Sequence, residues 1–241
     1  MTDLIDEVCM NYSMPVNADQ SVISQIVARK LRNSMLWMGW GILTTFVTML
    51  AALFNPQWLS LAVSNYNILL ILELGAVFLF SARQMSASLT TLKSMFFIYS
   101  ILNGLTLAAL SMVYGTTAFF YAFVGTLAFF GTFAVIGGVV KRDLTSWTTY
   151  LLGAVIALII VSLLNVFVFQ NGFVNLALGA FGVIIFTIFT AVDVNRIKGI
   201  LTTVALEDDE VLERVELIGA LMLYLDFINI FLSLLRFFRR D

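Results

Sequence analysis

The sequence predicts an all-α membrane protein built from seven transmembrane helices. Of its 241 residues, 61% are hydrophobic and only 12% are charged, far from the composition of an ordinary soluble domain. The apolar residues gather into seven stretches, at roughly 35–54, 63–82, 95–113, 118–140, 149–169, 174–193 and 217–236, each close to the ~20 residues that cross a bilayer. Charge alternates between the connectors. The first, third and fifth carry none, whereas the N-terminal segment and the other three hold ten of the thirteen Lys and Arg residues. By the positive-inside rule this places the N-terminus in the cytoplasm.

The chain divides into residues 1–33, a cytoplasmic N-terminal segment, and 34–241, the seven-helix domain. The N-terminal segment carries Asp3, Asp6, Glu7 and Asp19 and lacks the basic start and apolar stretch of a signal peptide. Val22, Ile23, Ile26, Val27 and Leu31 follow helical spacing, with Asp19 placed to cap and Arg29, Lys30 and Arg32 at the far end. The expectation is a short amphipathic helix lying on the membrane surface. At the other terminus, Arg236, Arg239 and Arg240 crowd an end that seven crossings put outside. Either the last helix crosses and these side chains snorkel, or it is re-entrant; crossing is the preferred form.

Ionisable groups inside spans are costly and point to function. Glu73 and Arg83 lie ten residues apart on the second stretch, as do Asp226 and Arg236 on the seventh. If those two helices pack side by side and antiparallel, each acid falls level with the other's arginine, in two layers about 15 Å apart. Glu73 then lies near mid-membrane and Arg83 at the cytoplasmic boundary. Asp193 ends the sixth stretch on the side shared with Arg83 and Asp226, so an inner cluster of Asp193, Asp226 and Arg83 is expected, with Glu73 and Arg236 as a second charge layer. Two carboxyl groups within hydrogen-bonding reach do not both ionise cheaply and would share one proton. Calcium takes six to eight oxygen ligands. Asp193, Asp226, Asn195, Asn229 and backbone carbonyls would suit weak calcium transit better than storage. The bland alternative for all five charges is interhelical ion pairing that sets register.

Three stretches carry a family resemblance: Gly125–Trp147, Phe189–Lys198 (FTAVDVNRIK) and Gly219–Phe238 (GALMLYLDFINIFLSLLRFF). Through them the chain resembles the transmembrane Bax inhibitor motif family over nearly all of residues 30–238. Many members carry Tyr-Asp where this chain has Val192-Asp193, which removes a hydroxyl beside the acid. The resemblance implies a seven-helix bundle with the last helix central. It also implies a bacterial inner-membrane protein acting as a pH-sensitive calcium leak channel, with a di-aspartyl switch matched by Asp193 and Asp226. Arg83 matches the arginine implicated in holding the closed state. A second implied role is a regulatory interaction protein that modulates a membrane-bound protease or membrane-protein quality control, with the N-terminal segment as the contact for a membrane-protein partner.

Other classes fit poorly. The chain has no histidine and one cysteine, Cys9, which removes His-based zinc, haem and dyad chemistry and any intrachain disulfide. An intramembrane aspartyl protease should carry Gly-x-Gly-Asp and Pro-Ala-Leu, but both prolines, Pro15 and Pro56, lie before residue 57. A retinal protein needs a Schiff-base lysine in its last helix, and the last lysine is Lys198. The expected protein is not an enzyme, has no cofactor beyond calcium as the transported ion, and has the bilayer rather than nucleic acid as its partner. The acidic run Glu207, Asp208, Asp209, Glu210, Glu213 and Glu216 is expected to be a solvated face at the start of the last helix. The glycines at 125, 131, 137, 138, 179 and 182 are expected at close helix contacts. The phenylalanines of 119–133 are expected in lipid or core.

Overall fold

The computed structural model describes residues 16–238, with side chains from Gln20 onward; the expectations for Asp3, Asp6, Glu7, Cys9, Arg239 and Arg240 lie outside this range. Seven α-helices and no strand occur among the described residues: α1 (Val16–Phe54), α2 (Pro56–Ser64), α3 (Tyr66–Arg83), α4 (Leu89–Val139), α5 (Thr148–Leu164), α6 (Gly172–Thr203) and α7 (Asp209–Phe237). All but the nine-residue α2 belong to segments long and apolar enough to cross a membrane.

The expected surface helix is the first part of α1, which runs without a break for 39 residues, about 59 Å. The reason is a stripe that never lapses. Val27, Lys30, Ser34, Met38, Thr45, Met49 and Ala52 are all buried at helical spacing on one face. That face packs on α4, α6 and α7, so residues 20–33 continue into the first apolar stretch as one helix, with Val27 and Lys30 on its buried side. Asp19 falls inside the helix rather than at its cap. The first connector is also ordered differently from expectation. Pro56 opens α2, and the Asn55 side chain accepts from the backbone N–H groups of Gln57 and Trp58, a strong helix start.

The third and fourth apolar stretches form the two arms of α4, a 51-residue element interrupted at Gly115, where φ is 76° and ψ 157°. Side-chain residues rarely adopt this backbone conformation, and glycine does so readily. The chain reverses there. On the first arm Lys93 pairs with Glu213 at 2.5 Å and Phe96 and Tyr99 reach Tyr224, so the arm climbs along α7. On the second, Phe119 meets Phe231 and Phe130 meets Phe227, and Gly137 ends against Ala191 of α6. The second arm therefore descends. Of its phenylalanines, Phe119 and Phe130 are core, whereas Phe120 and Phe129 face outward.

Helix α5 is mostly exposed, as expected of a lipid-facing helix at the edge. A short π-helical turn, Asn165–Phe169, and Gln170 in the left-handed region lead to Asn171, whose side chain caps α6. Helix α7 is the most enclosed: 72% of its apolar window is buried, against 11–33% in the other long helices. It packs on α1, α4 and α6. Lipid gives helices little hydrophobic reason to associate, so close fit must supply the attraction. Gly125, Gly137, Gly138, Gly179 and Gly182 do sit at interhelical contacts, while Gly131 faces open space.

Candidate functional site

Helices α6 and α7 are antiparallel neighbours whose register can be read from three glycines. A Cβ on Gly219 of α7 would meet Ile197 of α6 at 3.1 Å, one on Gly179 would meet the Ser233 carbonyl oxygen at 2.9 Å, and one on Gly182 would strike the Ser233 side chain. Between Gly219 and Ser233 α7 advances fourteen residues while α6 retreats fifteen, from Ile197 to Gly182. Asp226 is therefore level with Thr190, and Asp193 lies one turn, about 5 Å, along the seam. Both aspartates face this seam: Asp193 is 7% and Asp226 5% exposed, and their carboxyl groups interact electrostatically. Asp226 Oδ2 is buried with no hydrogen-bond partner, and so is Thr187 Oγ1, one turn to the other side of Thr190. A buried carboxylate oxygen without a donor is costly, and more so in a membrane.

Two residues from each aspartate, a side chain ties its helix to other elements. The Asn195 side chain donates to the carbonyls of Val140 and Arg142, each at 3.2 Å, and accepts from Leu144 N at 3.0 Å. It thereby joins α6 to the α4–α5 connector. Tyr224, fully buried, donates its hydroxyl proton to Thr45 Oγ1 at 2.6 Å; the Thr45 proton is shared between the carbonyls of Ser100 (2.9 Å) and Gly41 (3.0 Å). This node joins α1, α4 and α7 and sets the rotation of α7 that turns Asp226 toward α6.

The start of α7 is clamped by ions. Lys30 Nζ is 3.0 Å from Glu216 Oε1, which also accepts from Asn33 Nδ2 at 3.2 Å. Arg214 Nη1 donates to the carbonyls of Gln84 (2.9 Å) and Ala87 (2.7 Å), in the loop after α3. The acidic run is thus divided. Asp208, Asp209 and Glu210 are solvated, but Glu216 is 3% exposed and part of a buried pair, because α1 delivers Lys30 to it.

The second charge layer is arranged otherwise than the spacing predicts. Helix α3 packs on α2 and α4 rather than against α7, so Glu73 and Arg236 form no ion pair among the described residues. Glu73 instead accepts a 2.5 Å hydrogen bond from Thr106 of α4, and Arg236 lies 3.4 Å from Ser162 of α5. Arg83 is exposed at the end of α3 and has no acidic partner among the described residues. Asn229, half-buried one turn beyond Asp226, lines a cavity of about 230 Å³ with Ser162, Ser233 and Arg236. Spacing within one stretch shows which residues share a face, but not which helix covers it. For that reason the spacing does not show the partners of Lys30, Arg214 and Tyr224, and Asn195, expected among oxygens for calcium transit, instead ties α6 to the α4–α5 connector.

An all-helical, multi-pass membrane protein with two buried carboxyl groups between its last two helices, one of them with an oxygen that no donor reaches, is the class these features define. The chain belongs to the Bax inhibitor motif family: the family model described as "Inhibitor of apoptosis-promoting Bax1" matches residues 27–241. It is 35% identical over 207 residues to "Inner membrane protein YbhL" of Escherichia coli (strain K12), covering 84% of this chain and 87% of that protein. It is also 33% identical to an uncharacterized protein of Borreliella burgdorferi, over 83% of this chain and 87% of the relative. An uncharacterized protein of Deinococcus radiodurans is 34% identical, over 83% and 85% respectively.

Proposed function

We propose that this protein is a pH-sensitive calcium leak channel of a bacterial cytoplasmic membrane, with its N-terminus in the cytoplasm, gated by one proton shared between Asp193 and Asp226. The observation that carries this reading is the buried Asp226 Oδ2, without a donor and one turn from a second buried carboxyl group. A proton held between the two acids would satisfy that oxygen and remove the like-charge repulsion. Its loss would leave two like charges at one seam; anions at a separation of about 5 Å repel by about 3 kcal/mol at an effective dielectric of about 20. That energy shifts a two-state equilibrium by about a hundredfold, enough to reseat one helix against another.

Once ionised, the pair would offer a passing cation two carboxylates, with Asn229 a turn away. Among the described residues no three acidic or other metal-ligating side chains cluster, and so sparse an oxygen set favours brief residence over capture. Arg83 is assigned as the latch. Swung inward in a second conformation, its guanidinium would neutralise the ionised pair and hold the path shut. The charge-free connectors at one end and basic ones at the other support the assigned orientation.

Calcium flux into dye-loaded proteoliposomes, followed across a pH series, tests this. Asp193→Asn and Asp226→Asn should each flatten the pH profile. A profile that survives both substitutions rules the pair out of gating.

A further inference from the structure

At the end of the bundle that carries the basic connectors, a pocket of about 660 Å³ opens between the α4–α5 connector and the last turns of α6, a volume typical of ligand sites. Lys141, Arg142, Arg196 and Lys198 line it. None of the four forms an ion pair among the described residues, where Lys30, Lys93 and Arg214 do; Arg196 alone interacts at longer range with an acid, Asp193, on its own helix. The only acid in the lining is Asp143, whose carboxylate already accepts from the amide and hydroxyl of Thr145. The pocket is built, not accidental. Asn195 holds three backbone groups of the connector, and Lys198 Nζ donates to the Gly138 carbonyl at 2.8 Å, leaving two of its protons free.

Its depth is marked independently. Trp147 and Tyr150, one to two turns along the chain, are 55% and 78% exposed, and outward-facing Trp and Tyr collect at the level of lipid headgroups. Helix α4 ends at Val139, immediately before the pocket. The cations therefore stand at the plane of the phosphates, where each contributes to attraction for anionic lipid.

We propose that this pocket binds the phosphate-bearing headgroup of one anionic phospholipid, clamped between the α4–α5 connector and α6. The guanidinium groups of Arg142 and Arg196 come from opposite walls, so a bound phosphate diester bridges two elements and accepts charge-assisted hydrogen bonds from both. The lipid site does not need the channel reading, but Arg196 also interacts electrostatically with Asp193, one turn before it on the same helix, so Lys141 and Arg142 carry the test that leaves the aspartates untouched.

Native mass spectrometry of the full chain, released from detergent after incubation with phosphatidylglycerol or phosphatidylcholine, is the test. One phosphatidylglycerol should be retained and phosphatidylcholine should not. Lys141→Ala with Arg142→Ala should weaken retention about thirtyfold, at the usual contribution of a cation beside an anionic surface. Arg196→Ala should weaken it as well. Arg29→Ala with Arg32→Ala removes the same charge from α1, outside the pocket, and should leave retention unchanged. Equal loss in that control, equal retention of both lipids, or displacement of the lipid by millimolar inorganic phosphate would each overturn the proposal. Because a misfolded variant could mimic loss, the stabilisation of each variant by added phosphatidylglycerol is read in a thermal melt. A folded pocket variant that keeps the full phosphatidylglycerol shift also overturns it.

Discussion

Lys30 of α1 and Glu216 of α7 meet at 3.0 Å with side chains only 11% and 4% exposed, although 186 positions separate them in the sequence. Glu216 has Asn33 as its other contact and no second cation among the described residues, whereas Lys30 also lies 3.7 Å from the exposed Asp209, so the carboxylate depends on the lysine more than the reverse. Removing one partner of a buried pair costs ~3–5 kcal/mol, whereas replacing both by apolar residues is often neutral. Lys30→Met should therefore destabilise the protein by about that amount, and Lys30→Met with Glu216→Leu should recover most of it. Thermal melts of the single and double variants in one detergent measure the coupling. Additive losses would show that the contact contributes nothing as a pair.

The Tyr224–Thr45 hydrogen bond lies two residues from Asp226. Polar contacts between membrane helices contribute about 0.6–1 kcal/mol, so Tyr224→Phe should lower stability only slightly. Its expected larger effect is on calcium flux, because α7 loses the bond that sets its rotation. A pH profile for Tyr224→Phe that overlays the unmodified one would detach this node from the aspartate pair.

Ser233 occupies the space a Cβ would need at Gly182. Gly182→Ala should spread α6 from α7 and cost about 1–3 kcal/mol, the usual penalty of overpacking. Combining it with Ser233→Gly should return part of that loss, again read from thermal melts.

Asp143, fully exposed in the α4–α5 connector, is held below the usual carboxylate range by the Thr145 hydroxyl and amide. A depressed folded value means its contribution is complete above the ordinary Asp pKa of about 3.9. That contribution is lost only as pH falls through the lower folded value. Amide exchange at Thr145 should stay slow through mild acid and quicken below it. In Thr145→Val, which keeps the amide but loses the hydroxyl bond, the change should come at higher pH.

Much of this was legible in the residues. The seven apolar stretches fall in six long helical segments, one of which carries two stretches as its two arms, because hydrophobic runs and glycine punctuation are local properties. Asp193 and Asp226 stand out in the sequence because acids are rare in such runs; in the fold both are buried and interact electrostatically. The failures share one cause. Residue counting levels Glu73 with Arg236 only where α3 and α7 pack together, but α4 supplies the partner for Glu73 and leaves α3 without a face on α7. Residues 20–33 read as a separate amphipathic helix because Val22, Ile23, Ile26, Val27 and Leu31 follow helical spacing and a basic end follows them. The buried stripe they continue is visible only once α6 and α7 are in place to cover it.

Arg214 grips the carbonyls of Gln84 and Ala87 immediately beyond the tip of α3. The root of the last helix and the tail of α3 are therefore yoked, although the two helices share no packed face. Any piston-like slide of α7 that reorganises the aspartates would drag this loop along and carry Arg83 with it. A single guanidinium thus makes the bundle's innermost rod and one of its outer staves move as a unit.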